Sequence, residues 1–203
     1  TLIKTMDIYE KLGKVHYSLK VLIAFMISGI VGLTFPIIQG GGEHIIEILS
    51  PQRSLMWFLT LLILKFLFSM ISFGSGVPGG IFFPLLVMGA LIGGVFGKLG
   101  MMSTGINEVL LFNFVVLAMA GFFTAIVRAP ITGIVLMTEM TGSLKHLLSL
   151  TVVVIVSYVT AELLKSVPVY EALLERQLKH KEFDGIATSD RHKKIIISTV
   201  VQH

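Results

Sequence analysis

The sequence predicts an all-α membrane protein whose helices differ in length and break at hydrophobic depth, and three observations predict it. Apolar residues make up 54% of the chain and charged residues 14%, where a soluble domain carries about 25% charge; mean hydropathy is +0.89. Several segments lack charge over roughly the 17–25 residues that cross a bilayer. Residues 21–38, 81–97 and 109–127 are the clearest, 54–73 carries only Lys65, and 147–161 is shorter and is followed by Glu162. Glycine and proline interrupt this apolar sequence at 74–80 and again at Arg128-Ala129-Pro130. Non-helical backbone at membrane depth survives only when buried in protein or lining a watery cavity, and transporters place ion sites at such breaks.

The elements follow in order. Residues 2–13 form an amphipathic lead-in and 19–36 a spanning helix. Residues 39–42 make a turn, and 43–49 a short helix carrying Ile45, Ile46 and Ile48. A long helix covers 54–73, the glycine-rich loop 74–80 follows, and the next helix covers 81–98. After a loop at 101–107, residues 108–127 form a helix that ends at Arg128-Ala129, because the residue before a proline is biased away from helix. Residues 131–140 are too short to span alone, 141–143 turn, and 144–164 span again. Val167-Pro168 opens a last amphipathic helix, 169–179. Residues 182–193 are polar linker, and 195–201, rich in Ile, Thr and Val, read as a strand. The domain reading is therefore a membrane domain over 1–180, then a cytoplasmic linker and the start of a cytosolic domain over 181–203.

Charge sets the orientation. Lys4, Lys11, Lys14 and Lys20 precede the first span, and Lys165, Arg176, Lys179, Lys181, Arg191, Lys193 and Lys194 follow the last. The positive-inside rule places both ends on the cytoplasmic side. The net charge of +4 has the same origin. It does not indicate nucleic acid, because no basic stripe with interleaved aromatics is present. With no cysteine, disulfides and thiolate metal sites are excluded. The histidines are scattered, without paired ligand spacing, so no metal is expected. Gly40–His44 lacks the Gly-Lys-Ser/Thr ending of a phosphate loop and reads as a turn.

The segment from Gly74 to Gly97, GSGVPGGIFFPLLVMGALIGGVFG, carries the function. A glycine-rich loop leaves backbone N–H groups unpaired, and the first turn of the following helix leaves more. With the positive end of the helix dipole they make an anion site without a cationic side chain. Gly79 and Gly80 let the backbone approach an ion closely, and Pro84 suits a first turn, where its missing N–H is no loss. From pattern alone, Ile81 and Phe82 read first as core residues, and Tyr170 as an interfacial tyrosine. Gly89, Gly93, Gly94 and Gly97 give small-residue faces for close helix packing. Lys65, Arg128 and Glu139 are charges within apolar sequence. Arg128 reads as a partner for carbonyls at a helix end or as snorkelling to water, Glu139 as a structural acceptor near a hairpin, and Lys65 as facing water or a carboxylate.

Three ordered motifs together resemble the CLC family of chloride channels and proton-coupled anion exchangers. GSGVPGGIFFP resembles that family's filter segment, AGFFTAIVRAPITGIVLMTEMTG (120–142) its Arg-Ala-Pro helix pair, and VPVYEALLERQL (167–178) its final helix. The resemblance covers 19–178 and implies the C-terminal half of the CLC inverted-repeat fold. It assigns the anion to the backbone of Gly80, Ile81 and Phe82 and to the hydroxyl of Tyr170, which converge on one ion. It implies a bound chloride and no other cofactor, and a homodimer through the helices near 131–140 and 147–161. It also implies a missing N-terminal half that supplies the gating glutamate, since no Gly-x-Glu-Gly-Pro occurs here. Channel and exchanger both remain open, and the strand-like tail points to a prokaryotic plasma membrane. A membrane-embedded enzyme would need a nucleophile–base pair or a metal motif within the spans. A purely structural subunit would not require the Gly-Gly-Ile-Phe-Phe-Pro break.

Overall fold

The computed structural model describes residues 17–75, 80–105, 107–175 and 178, and among them there is no strand. The lead-in at 2–13, the loop at 76–79, the linker and the strand predicted at 195–201 lie outside the described residues. The chain divides into two compact units, Thr1–Ser166 and Val167–His203.

In the first unit, α1 covers Tyr17–Thr34 and a 3₁₀ turn covers Pro36–Ile38. Helix α2 is the short Glu43–Glu47. Helix α3, Leu55–Gly74, starts at Ser54, whose side chain accepts from Trp57 N; this satisfies one of the donors that every helix start leaves open. Helix α4 covers Phe82–Thr104. A 3₁₀ turn at Glu108–Leu110 leads into α5, Leu111–Val127. Helix α6 is Pro130–Thr141, with proline in its first turn. A 3₁₀ turn at Leu144–His146 leads into α7, Leu147–Leu163. In the second unit, residues 169–175 form helix α8.

Leu55–Gly74, Phe82–Thr104 and Leu144–Leu163 are long and apolar enough to cross a membrane, and Val21–Thr34 and Leu111–Val127 are shorter apolar helices. The largest difference from expectation is at the end of α4. The loop predicted over 101–107 is helical as far as Thr104 and stops at Gly105, φ 66°, whose N–H donates to Met101 O. Met101 and Met102 favour helix, and the Ser103 and Thr104 hydroxyls bond back to Leu99 O and Gly100 O, both at 2.8 Å. The first residue able to take the left-handed C-terminal position without penalty is therefore the glycine.

Helix α4 is the shared wall of two apolar clusters. Leu86 and Ala90 pack with Val115, Met119, Phe123, Met137, Leu150 and Val154 of α5, α6 and α7. Val87 and Leu91 pack with Ile38, Ile45, Phe58, Leu61 and Leu111. The predicted small-residue faces are the reason α4 can be enclosed. A Cβ on Gly89 would lie 2.8 Å from Met119 Cα, and one on Gly93 2.5 Å from Phe114 O, so α5 touches α4 backbone to backbone. Gly94 faces the other way and admits the Phe58 ring of α3, 2.2 Å from where its Cβ would be. By contrast, α7 turns an apolar face outward, with Leu148 80% exposed and Val152, Ile155, Val156 and Val159 also exposed, and Glu162 is exposed near its end. On α6, Ile131 and Val135 are exposed, and so is Glu139 near its end. Glu139 thus places a charge on the exposed face of α6, one of the two helices expected at the homodimer contact.

Candidate anion-binding site

Ile81 caps the start of α4 and Phe82 is its first residue. The first bond closing the helix runs from Leu85 N to Ile81 O at 3.2 Å. Pro84 has no N–H to place. Among the described residues, the N–H groups of Ile81, Phe82 and Phe83 find no acceptor. They sit at the positive end of a helix with no acidic residue in its first turn, where the aligned peptide dipoles amount to roughly half an elementary charge. Gly80 is non-helical and exposed, and a Cβ built on it would meet nothing within 4 Å. No cationic side chain lies in this first turn.

Aromatic packing holds this helix start on one side. The Phe82 ring meets Phe83 edge to face at 5.5 Å and Phe123 of α5 at 5.7 Å. Close by in sequence, α3 ends at Ser75, whose hydroxyl donates to Ser72 O at 2.6 Å. Ser72 and Ser75, with Ala24, Phe25 and Ser28 of α1, line a cavity of about 200 Å³, so hydroxyl groups lie at the end of the helix that leads into 76–79.

The triple-glycine segment is a turn, and Lys65 is what it turns around. Gly40 and Gly42 have φ of 64° and 88°, conformations that suit glycine. The side chain of Lys65 is fully buried, and its Nζ donates to Ile38 O at 2.9 Å and to Gly40 O at 2.8 Å. It also lies 5.8 Å from the centre of the Phe68 ring. The expectation that Lys65 faces water or a carboxylate is corrected: its partners are the carbonyls of a turn. The physical reason is the cost of leaving carbonyls unpaired in hydrocarbon, several kcal/mol each. Lys98 of α4 does the same for Pro51 O.

Arg128 ends α5 in the left-handed region, φ 64°. Its Nη1 donates to Tyr158 O at 3.1 Å and to the Glu162 carboxylate at 2.8 Å, and its Nη2 donates to Ser166 O at 2.8 Å. The end of α7 is itself a Schellman turn. Ser166 N reaches Ala161 O and Lys165 N reaches Glu162 O, with Lys165 at φ 50°. Arg128 thus serves carbonyls at a helix end, as the sequence suggested. The acceptor at Glu139 is its backbone carbonyl, which takes Gly142 N at 3.2 Å.

Of the predicted site residues, Gly80, Ile81 and Phe82 lie together at one helix start. Gly79 is outside the described residues. Tyr170 belongs to the second unit; it lies in the first turn of α8 and is 51% exposed.

A family model described as voltage gated chloride channel matches residues 1–162. The H(+)/Cl(-) exchange transporter ClcA of Klebsiella pneumoniae (strain 342) is 31% identical over 193 residues, which is 93% of this chain and 41% of that protein. The transporter of the same name from Vibrio cholerae serotype O1 (strain M66-2) is 34% identical over 180 residues, 87% of this chain and 38% of that protein. Among solved structures, the crystal structure of a slow cyanobacterial Cl−/H+ antiporter matches with a TM-score of 0.75 at 27% identity, covering 88% of this chain and 42% of that one. The chain spans about two-fifths of the length of these relatives.

Proposed function

Because the chain belongs to the voltage gated chloride channel family, we propose that it supplies one half of a chloride pathway, with the ion held by the backbone of Gly80, Ile81 and Phe82 and by the hydroxyl of Tyr170. The observation that carries this reading is the set of N–H groups at the start of α4 that find no acceptor among the described residues. A dehydrated anion needs several weak donors at once. Backbone N–H groups and one neutral hydroxyl attract it without trapping it, and conduction requires binding weak enough for release. Chloride is the anion proposed, and the chemistry calls for no other cofactor.

The protein is an integral, multi-pass membrane protein. Its relatives' names point to coupled Cl−/H+ exchange as the first reading. An N-terminal half completes the pathway, and both ends of this chain face the cytoplasm. Two copies meet through 131–140 and 147–161, where the outward face of α7 is apolar. Titration calorimetry on the full-length protein tests the site. Tyr170→Phe is expected to weaken chloride binding, and proton flux driven by a chloride gradient in proteoliposomes is expected to fall in Tyr170→Ala. Parent-like affinity in both variants would make Tyr170 an interfacial anchor.

A further inference from the structure

We propose that Lys65 and the turn Gly40–Gly42 are a positioning device for the anion site, fixing where the first turn of α4 presents its donors. This rests on the reading of Ile81 and Phe82 as anion donors. Lys65 is 0% exposed and holds Ile38 O and Gly40 O. Among the described residues, no carboxylate forms an ion pair with it. Its charge is spent on the turn. The turn in turn presses on α4. A Cβ on Gly42 would be tightly placed, 3.0 Å from Lys65 Nζ and 3.3 Å from Val87 Cγ1. A Cβ on Gly41 would stand 3.0 Å from Phe83 Cβ. Phe83 and Val87 are one helical turn apart on α4, so they present one face to the turn. Phe83 is the residue after Phe82, and its own N–H is among those that find no acceptor among the described residues.

The turn is therefore packed between a buried ammonium and the first two turns of the helix that presents the donors. With its carbonyls anchored by Lys65, the turn is the member that does not yield. Binding groups must be held within about 0.5 Å of their working geometry. Releasing the turn would let the start of α4 drift.

Chloride titration and chloride-over-nitrate flux selectivity in the full-length protein test this. Lys65→Arg retains donors for both carbonyls and is expected to keep parent affinity. Lys65→Met is expected to lose about tenfold, the equivalent of one donor withdrawn from the ion, and to change the selectivity ratio. Gly41→Ala decides the matter even if Lys65→Met does not fold. Gly41 is outside the left-handed region, so its substitution leaves Lys65 bonded and only pushes Phe83 by its Cβ. We expect Gly41→Ala to change both affinity and selectivity. Parent-like values in Gly41→Ala overturn the positioning role while leaving the anion site intact. A parent protein that binds no chloride overturns the site itself, and the positioning role with it.

Discussion

Arg128 Nη2 donates to Ser166 O at 2.8 Å, so the residue that ends α5 also fixes the end of α7. Two terms of opposite sign meet at this position. The left-handed backbone costs a non-glycine residue roughly 1–2 kcal/mol. The guanidinium's bonds to Tyr158 O, Glu162 and Ser166 O more than offset it.

A rank order of stabilities follows. Arg128→Ala keeps the backbone penalty and loses every bond, and should destabilise by about 1.5–3 kcal/mol per charged hydrogen bond that is not replaced by water. Arg128→Gly loses the same bonds but relieves the backbone, and should be less damaging than Arg128→Ala by about 1 kcal/mol. Thermal unfolding of the detergent-solubilised full-length protein checks the order. Arg128→Gly melting below Arg128→Ala would mean that backbone conformation is not a factor here.

The glycine faces of α4 give a second ordering. Gly93→Ala drives a Cβ into Phe114 O and Val115 Cα, neither of which can rotate away. Such overpacking costs about 1–3 kcal/mol. Gly97→Ala meets the Leu111 Cδ1 methyl at 2.6 Å, the end of a flexible side chain, and should cost less. Melting temperatures of the two variants decide, and equal losses would show that α5 adjusts as a whole.

Much of this was legible in the sequence. The break between α3 and α4, the start of α4 at Ile81-Phe82 and the packing role of the α4 glycines are local in origin, because glycine spacing and unpaired helix-start donors are written in consecutive residues. The end of α4 was not. Met101 to Thr104 read as loop, while hydroxyls bonding back to the preceding turn carry the helix on to Gly105. The partner of Lys65 was not legible either, since Ile38 and Gly40 are brought to it by tertiary packing across α3 and the glycine turn. Glu139 shows the same limit: the face it shares is apolar by composition, and only the fold puts its side chain outside.

The outward face of α7 predicts an assembly. Val152, Ile155, Val156 and Val159 are exposed in this chain and carry no charge among them. A cysteine at Val152, Ile155 or Val159 in the full-length protein should crosslink two copies in the membrane. A carboxylate introduced by Ile155→Asp should shift the protein toward monomer in detergent, because burying an unpaired charge in an interface costs several kcal/mol. Absence of crosslinks at all three positions would assign this face to lipid.

The central claim is that backbone N–H groups, not a charged side chain, hold the ion. Replacing Phe82 by its α-hydroxy analogue in the full-length protein turns the Ile81–Phe82 amide into an ester and removes one donor, leaving every side chain in place. A hydrogen bond to a charged group contributes about 1.5–3 kcal/mol, so chloride affinity measured by calorimetry should fall by roughly ten- to a hundredfold. The same replacement at Phe112, in the first turn of α5 and away from the start of α4, should leave affinity near that of the parent. An ester at Phe82 that binds chloride as tightly as the parent amide would contradict the account.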